Sequence, residues 1–446
     1  MFEFELELHA MENLLMILNR KRVWLVAGGV LAVLGLTLVI LLAGEEAVHA
    51  QADPTPLPQQ TERERGEMDG PRPARVEGTA TWTLGEQEYH ARFPEGLTFA
   101  IEAASDAGEI VSARVVWTHA PGSGRQHSVG ASLDESGDRW VARWEPGTNQ
   151  VPPWVLVRYR WELTDAQGNR YVTQERDEVY ADPDNADRWG HAESEDVVVH
   201  WIDLPDEYGQ QTIEAMTARE EFLRQAWGGL LPYRPRVILY GWSAMAEYED
   251  VVGDNVIVGN AIRAGTTRGD WGGTVQIATP GMTPEGMAYG TVLHEVAHLY
   301  QEQFTLVVVD WFIEGNAEFF SLARGGRYKD YARQRLQSGA PLSFAGGFSA
   351  RGTNFRDAYW IGTTVWDYLV ETYGLDAHRQ IWELVGNNVP RFEAVEMVTG
   401  VSIAQFERDW RAWLGVFTPP PTLIPTPTPA LDIFSMPTPT YGFPGG

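Results

Sequence analysis

The sequence contains no cysteine in its 446 residues. Without thiols the chain forms no disulfide, holds no metal through thiolate and uses no cysteine nucleophile. Any transition metal must therefore be held by histidine and carboxylate side chains. Basic residues are also few: 34 lysines and arginines stand against 61 aspartates and glutamates, a net charge of −27. This balance argues against nucleic acid as a partner, because phosphate binding needs clustered basic side chains.

The length and the 44% apolar content are sufficient for two or more folded units with real cores. Tryptophan is abundant, with 18 residues. Bulky aromatic side chains are expected mainly in the core or on the faces of β-sheets, and a carbohydrate-binding platform is the alternative interpretation.

Residues 23–44, "VWLVAGGVLAVLGLTLVILLAG", form a run of 22 residues without a charge. Such a run spans a hydrocarbon core of about 30 Å as a helix. Arg20, Lys21 and Arg22 precede it and favour the cytoplasmic side. We expect a cytoplasmic lead at 1–22, a transmembrane helix or signal anchor at 23–44, and the remaining chain outside the cell membrane. The alternative is a signal peptide cut near "AVHA" (47–50), which gives a secreted protein.

Two segments have compositions that cannot form a packed core. Residues 45–75 are rich in proline and charge, which is typical of a flexible linker. Residues 417–446 repeat proline and threonine, as in "TPPPTLIPTPTPA", and are predicted to be a disordered tail.

Residues 76–185 contain short segments with period-two alternation, among them "ARVVWTH", "RWVARWEP" and "WVLVRYRWEL". Turn sequences such as "APGSG" and "DAQGN" separate them. This pattern predicts an all-β, immunoglobulin-like sandwich. We expect an accessory domain that binds a partner or spaces the next domain from the membrane.

Residues 190–416 show a different pattern. The segments 197–202 and 236–240 are predicted strands, and the helical spacing between them indicates an α/β unit. The segment "GTVQIATP" (273–280) is a further predicted strand, and the glycine-rich "AGTTRGDWGG" (264–273) is expected to be a mobile lip over a cleft or a poorly ordered loop. From residue 284 onward the pattern is helical.

The stretch "GTVLHEVAHLYQ" (290–301) carries two histidines four residues apart. On a helix His294 and His298 project from one face, which allows both imidazoles to bind one zinc ion. Glu295 then lies beside the metal. The alternative is a pair of core histidines that are satisfied by backbone partners.

The following segment, "VVVDWFIEGNAEFF" (307–320), carries Glu314 and Glu318 among aromatic residues. A carboxylate in apolar surroundings is costly unless it meets a cation, and a dication nearby supplies one. Glu314 is therefore the expected third zinc ligand. Glu318, one turn further on, is expected to accept the outer N–H of a ligating histidine. A helix-surface salt bridge is the alternative role for Glu318.

Together "HEVAHLYQ" and "WFIEGNAEFF" resemble the gluzincin zinc metallopeptidases, the thermolysin and aminopeptidase N superfamily, and most closely its peptidase MA-like domain. The resemblance covers about residues 197–414. It implies an α+β metallopeptidase domain with a mostly helical C-terminal half, which follows the transmembrane helix and the sandwich in a multi-domain chain. It implies His294, His298 and Glu314 as Zn²⁺ ligands and Glu295 as the general base. It also implies that the strand "GTVQIATP" (273–280) lies at the edge of the sheet. By its position in the family pattern, Tyr359 is the candidate oxyanion donor, and packing in the helical core is its alternative role.

Two departures narrow the expected activity. Gln301 and Phe304 stand where a metzincin needs glycine and histidine, so a third histidine ligand of that type is excluded. The Gly-Ala-Met-Glu-Asn stretch of aminopeptidases is absent, so exopeptidase action is unsupported.

The predicted function is an exported, membrane-anchored zinc endopeptidase that acts on peptide or protein substrates. The alternative is a catalytically inactive, peptidase-like adhesion or binding protein at the cell surface. A purely structural zinc ion is less expected, because structural sites usually have four protein ligands.

Overall fold

The computed structural model describes residues 70–147, 150–253, 256–258, 261–305, 310–321, 326–339, 344 and 356–416. The predicted cytoplasmic lead, the apolar span 23–44, most of the linker and the tail from 417 lie outside these residues. Within the described part of the chain, no helix is both long and apolar enough to cross a bilayer.

The chain divides into two compact units, Met1–Tyr300 and Gln301–Gly446. The boundary falls one residue before the end of helix α3 (Leu293–Gln301). In the described residues the first unit contains all the sheets, and the second is helical. The predicted order of sheets followed by a helical C-terminal half is therefore confirmed.

Two antiparallel sheets form the first part of unit one. One sheet has the order β1-β9-β8-β4-β5, with β10 also paired to β8, and the other has the order β2-β3-β7-β6. The strands are β1 (Arg75–Glu77), β2 (Trp82–Arg92), β3 (Gly96–Ser105), β4 (Ile110–Thr118), β5 (His127–Gly130), β6 (Ser132–Leu133), β7 (Arg139–Trp144), β8 (Leu156–Asp165), β9 (Arg170–Val172) and β10 (Arg176–Val179).

The inner faces of these two sheets meet in an aromatic core. Phe99 of β3 lies 6.0 Å from Trp117 of β4 and 5.0 Å from Tyr159 of β8, measured between ring centroids. Trp161 and Leu163 of β8 are fully buried in the same cluster. Alternating positions of each strand thus fill the space between the sheets, as the period-two pattern predicts.

A five-stranded mixed sheet follows, in the order β11-β12-β13-β17-β16. Strands β12, β13 and β17 are parallel to one another, and β11 and β16 are antiparallel at the two edges. The elements are β11 (Trp189–Glu193), β12 (Val198–Ile202), α1 (Asp206–Trp227), β13 (Arg236–Tyr240), α2 (Met245–Val252), the short hairpin β14 (Ile257–Val258) and β15 (Ala261–Ile262), β16 (Gly265–Arg268) and β17 (Gly273–Ile277).

The prediction that residues 273–280 form the edge strand is wrong, because the edge is the neighbouring strand. β17 is paired on both sides, and the edge is formed by β16, inside the segment that was expected to be a loop. β16 has the sequence Gly-Thr-Thr-Arg and contains no large apolar residue. Its strand conformation comes from pairing with β17, a tertiary contact that local propensity does not report.

The second unit is built from helices. They are α4 (Trp311–Phe320), α5 (Arg327–Gln337), α6 (Gly362–Tyr373), α7 (Leu375–Gly386), α8 (Arg391–Thr399) and α9 (Ile403–Trp413). A π-helical turn, Asp357–Ile361, leads directly into α6. The core is aromatic: Phe312 of α4 packs on Trp366 of α6 and on Trp382 of α7.

Helices α4 and α6 approach closely at a pair of glycines. A β-carbon on Gly315 would lie 2.4 Å from the carbonyl carbon of Gly362, and one on Gly362 would lie 2.7 Å from the carbonyl oxygen of Trp311. The obstacles are backbone atoms, which cannot rotate away as a side chain does. Glycine at both positions is therefore what permits this helix contact.

We expect Gly315→Ala to lower the free energy of unfolding by roughly 1–3 kcal/mol, because the added methyl group forces the two helices apart. Gly326→Ala is the matched control, since a β-carbon there meets nothing within 4 Å. Urea unfolding followed by circular dichroism gives both values. Equal stabilities of the two variants would show that the close approach is not a constraint.

Candidate metal centre

Helix α3, which carries both motif histidines, begins directly after a π-helical turn, Met287–Val292. Helix α1 packs against this turn. At the other end of α3, Tyr300 stacks on Trp227, the last residue of α1, with 5.5 Å between ring centroids. The predicted helix is confirmed, and α1 supports it at both ends.

His294 and His298 are buried, with 8% and 7% exposure, and their Nε2 atoms are 3.2 Å apart. Two nitrogens bound to one tetrahedral zinc ion at about 2.0–2.1 Å lie about 3.3 Å apart, so the observed spacing fits a shared cation. The same spacing also permits a hydrogen bond between one protonated ring nitrogen and the other. Both arrangements require the two Nε2 atoms to point to one place, as the helical spacing predicts.

Glu314 completes a group of three possible metal ligands. One ligand atom each of His294, His298 and Glu314 lie within 4.8 Å of one another, and all three residues are buried. Glu314 stands in the first turn of α4, which Asp310 caps by accepting hydrogen bonds from the backbone N–H groups of Phe312 and Ile313. Two imidazoles and one carboxylate are a donor set suited to zinc, and they leave coordination positions open. The ligand roles themselves stay predictions.

Glu295 is held by the edge strand β16. The hydroxyl of Thr267 lies 2.6 Å from Glu295 Oε2 and 2.9 Å from the Glu295 backbone oxygen. At Gly265, a β-carbon would lie only 2.5 Å from Oε1 of the same carboxylate. Since residues two apart face the same side of a strand, Thr267 supplies a donor and Gly265 supplies room. Burial, and after it the charge of Glu295, raises the pKa of Tyr248.

A buried polar chain fixes the register of α4 next to the end of α3. Gln301 donates from Nε2 to the carbonyl oxygen of Ile313 at 2.9 Å and to Oδ1 of Asn316 at 3.0 Å. Asn316 Nδ2 lies 2.8 Å from Nε2 of His378 on α7. Gln301, Asn316 and His378 have no exposed surface. Displacing α4 would leave these polar groups unpaired in the core, at a cost of about 1–3 kcal/mol each.

Glu318, the predicted partner of a ligating histidine, lies one turn after Glu314 and is half-buried. Its Oε1 accepts a hydrogen bond from the Tyr328 hydroxyl. Burial, followed by the charge of Glu318, raises the pKa of Tyr328. The role of Glu318 towards a histidine stays a prediction.

Tyr359, the predicted oxyanion donor, lies in the π-helical turn that packs against α4. The start of this turn is fixed through the buried carboxylate of Asp357, which accepts hydrogen bonds from Tyr331 at 2.8 Å and from Arg335 Nη2 at 2.7 Å. Tyr359 itself is half-buried. Its proposed contact with a reacting carbonyl stays a prediction.

Several positioning residues were missed by sequence reasoning. Asp310 had a usable signal, because an aspartate before a helical run is a favoured N-cap. Thr267, Gly265, His378 and Tyr328 had none, since each acts from another secondary-structure element. Asn316 lies inside the quoted motif, but its partners Gln301 and His378 belong to other helices.

Comparisons with known proteins add little. No protein-family model matches the chain, and no curated protein matches it. Among solved structures, the chain is similar to an M1 zinc metallopeptidase from Deinococcus radiodurans, with a TM-score of 0.32 and 13% identity over 76% of this chain and 95% of that one. A polysaccharide deacetylase from Bacillus cereus gives a TM-score of 0.18 and 8% identity over 41% and 58% of the two chains. Likenesses this low carry no argument, so the function must be argued from the site.

We expect His298→Ala to lose bound zinc, because two ligands hold the ion far more weakly than three. His90→Ala, at an exposed position on β2, is the matched control and should keep the metal. Elemental analysis after dialysis gives the zinc content, and circular dichroism checks the fold. One zinc ion per chain in a folded His298→Ala variant would overturn the ligand assignment.

Proposed function

We propose that the chain is an exported, membrane-anchored, zinc-dependent endopeptidase. The single observation that carries this proposal is the buried group of His294, His298 and Glu314, whose ligand atoms approach within 4.8 Å of one another. Glu295 follows the first of these ligands and is 8% exposed. The resemblance of the two helical motifs to gluzincin peptidases supports the same reading of the site.

The chain's own residues have separate tasks in this proposal. His294, His298 and Glu314 hold the ion, and their partial coordination leaves room for water and substrate. When bound, zinc supplies a Lewis acid that lowers the pKa of a bound water towards about 7. Glu295 accepts the proton of the attacking water as the general base, and later delivers it to the leaving amine. Tyr359 donates to the oxyanion.

The edge strand suggests how an extended peptide is held. β16 is paired with β17 on one side, and no strand of the described residues pairs with its other side. The free backbone groups of an edge strand can bind an extended chain by adding it to the sheet. β16 also touches Glu295 through Thr267, so a peptide on this edge would lie beside the proposed base. Such backbone recognition has no requirement for a free terminus and suits an endopeptidase.

Export and anchoring rest on the sequence alone. The uncharged run at 23–44 and the basic residues before it support a single-pass anchor with the catalytic domain outside the cell. This part of the proposal is separate from the chemistry of the site.

We expect Glu295→Gln to retain one zinc ion and to lose peptide hydrolysis, because the amide keeps the shape of the side chain but cannot accept the proton. Cleavage of casein, with and without a chelator, measures the activity, and elemental analysis measures the zinc. Wild-type protein that binds zinc but cleaves neither casein nor a random peptide library would favour the inactive binding protein. Full activity of Glu295→Gln would remove this residue from the mechanism.

Thr267 is a positioning residue, and we expect Thr267→Val to lower kcat roughly tenfold with little change in KM, because a hydrogen bond to a carboxylate is lost. Thr267→Ser should restore kcat, since it keeps the hydroxyl. Thr266→Val, at the neighbouring position of β16, is the matched control. If both valine variants lowered kcat equally, the effect would belong to the strand and not to the hydroxyl.

A further inference from the structure

A second cleft lies in unit one, between the five-stranded sheet and the β-sandwich, and it contains none of the proposed metal ligands. Its volume is about 400 Å³, within the range of small-molecule sites. Its polar and aromatic lining consists of Trp154, Trp189, His191, Glu193, His200 and Arg236.

Strand register explains why these side chains share one face. His191 of β11 is paired with His200 of β12, and Glu193 is paired with Val198. Val198 is in turn paired with Arg236, the first residue of β13. Since paired residues project to the same side of a sheet, β11, β12 and β13 together form the floor of the cleft.

Trp154 and Trp189 form the aromatic wall. The indole of Trp154 lies parallel to the His200 ring, with centroids 5.0 Å apart and an interplanar angle of 4°. Trp189 meets Trp154 edge-on at 5.9 Å. Trp154 has a φ of 66°, a strained value for a residue with a side chain. Strain of this kind persists only where surrounding contacts enforce it, and it is concentrated at functional sites.

Two hydrogen bonds hold the backbone of Trp154 in this conformation. The backbone N–H of Trp154 donates to the carbonyl oxygen of Tyr180 at 2.8 Å. The carbonyl oxygen of Trp154 accepts from Nη1 of Arg236, also at 2.8 Å. Arg236, on the floor of the cleft, therefore helps to position Trp154 in its wall.

Within the described part of the chain no carboxylate forms an ion pair with Arg236, although acidic residues outnumber basic ones 61 to 34. The bond to Trp154 uses one of the five N–H donors of the guanidinium. Burial lowers the pKa of Arg236 to about 10, so the group stays charged at neutral pH.

The two carboxylates whose charges act on Arg236, those of Glu193 and Asp177, are already hydrogen-bonded to other arginines. Glu193 accepts from Nη2 of Arg234 at 2.6 Å. Asp177 accepts from both Nε and Nη2 of Arg158, at 2.6 and 2.7 Å. The positive charge of Arg236 is therefore left over on the floor of the cleft.

We propose that this cleft binds a monocarboxylate that carries a flat apolar group. The planar guanidinium is suited to a carboxylate, with which it can form two parallel hydrogen bonds. One unmatched positive charge fits a monoanion better than a dianion such as phosphate. The indoles of Trp154 and Trp189 offer aromatic surface to the apolar part. This inference is independent of the proposed peptidase activity.

Titration of the full chain with indole-3-acetate and with indole-3-acetamide tests the proposal by calorimetry. The pair differs only in the carboxylate, so we expect the acid to bind at least tenfold more tightly than the amide. A second arm compares N-acetyl-glycyl-tryptophan with its C-terminal amide, which separates small aryl acids from peptide C-termini as the source of the carboxylate. Tighter binding of the acid than of its amide in either arm supports the proposal.

Substitutions at Arg236 test whether the ligand carboxylate binds in this cleft. Arg236→Gln should weaken the acid at least tenfold and leave the amide unchanged, while Arg236→Lys, which keeps the charge but not the fork, should give an intermediate loss. Arg143→Gln is the matched control, because it removes the same charge at an exposed position of β7, outside the cleft lining, and should change affinity less than twofold. If Arg236→Gln fails to fold, Arg236→Lys carries the test.

Four results would overturn the proposal. The first three are that neither acid binds at millimolar concentration, that the acid and its amide bind equally, or that Arg143→Gln weakens the acid as much as the Arg236 variants do. Preferential binding of a neutral sugar in the same titration would replace the carboxylate with a carbohydrate and would equally refute the proposal.

Discussion

Two imidazoles and one carboxylate brought together in an apolar interior are the constraint on which the rest of the candidate site depends. Each of these groups loses water on burial, and only a cation or a hydrogen bond offsets that cost. The ligand atoms of His294, His298 and Glu314 lie close enough together for one cation to offset that cost for all three groups. The surrounding features preserve this meeting: α1 supports α3, Asp310 caps α4, and the chain from Gln301 to His378 fixes the register of α4.

The edge strand β16 links the chemistry of the site to the architecture of the sheet. Thr267 and Gly265 face Glu295 from the same side of this strand, one as a donor and the other as open space. The opposite edge of β16 has no paired strand in the described residues. A single short strand can therefore orient Glu295, the proposed general base, and leave its outer backbone groups open for pairing with an extended peptide. The lack of space beside the Glu295 carboxylate accounts for glycine at position 265, although glycine is depleted in strands.

The five-stranded sheet carries two different kinds of chemistry at its two sides. Near β16 it contacts a carboxylate that belongs to the candidate metal centre. At β11, β12 and β13 it presents Arg236, which forms no ion pair with any described residue, under two indoles. The first site has the composition to hold a cation and the second to hold an anion. One hydrophobic cluster runs from the β-sandwich onto the same face of this sheet, so packed apolar residues border the cleft.

The sequence by itself determined the local features: the alternating strands, the helical C-terminal half, and the two helices with histidines and glutamates one turn apart. These follow from periodicities within one element, which neighbouring residues encode. The choice of β16 as the edge, the threonine behind Glu295, the polar chain to His378 and the free charge of Arg236 were decided only by tertiary structure. Each depends on which distant segment lies opposite, and that is set by global packing and strand pairing, which no local window of sequence contains.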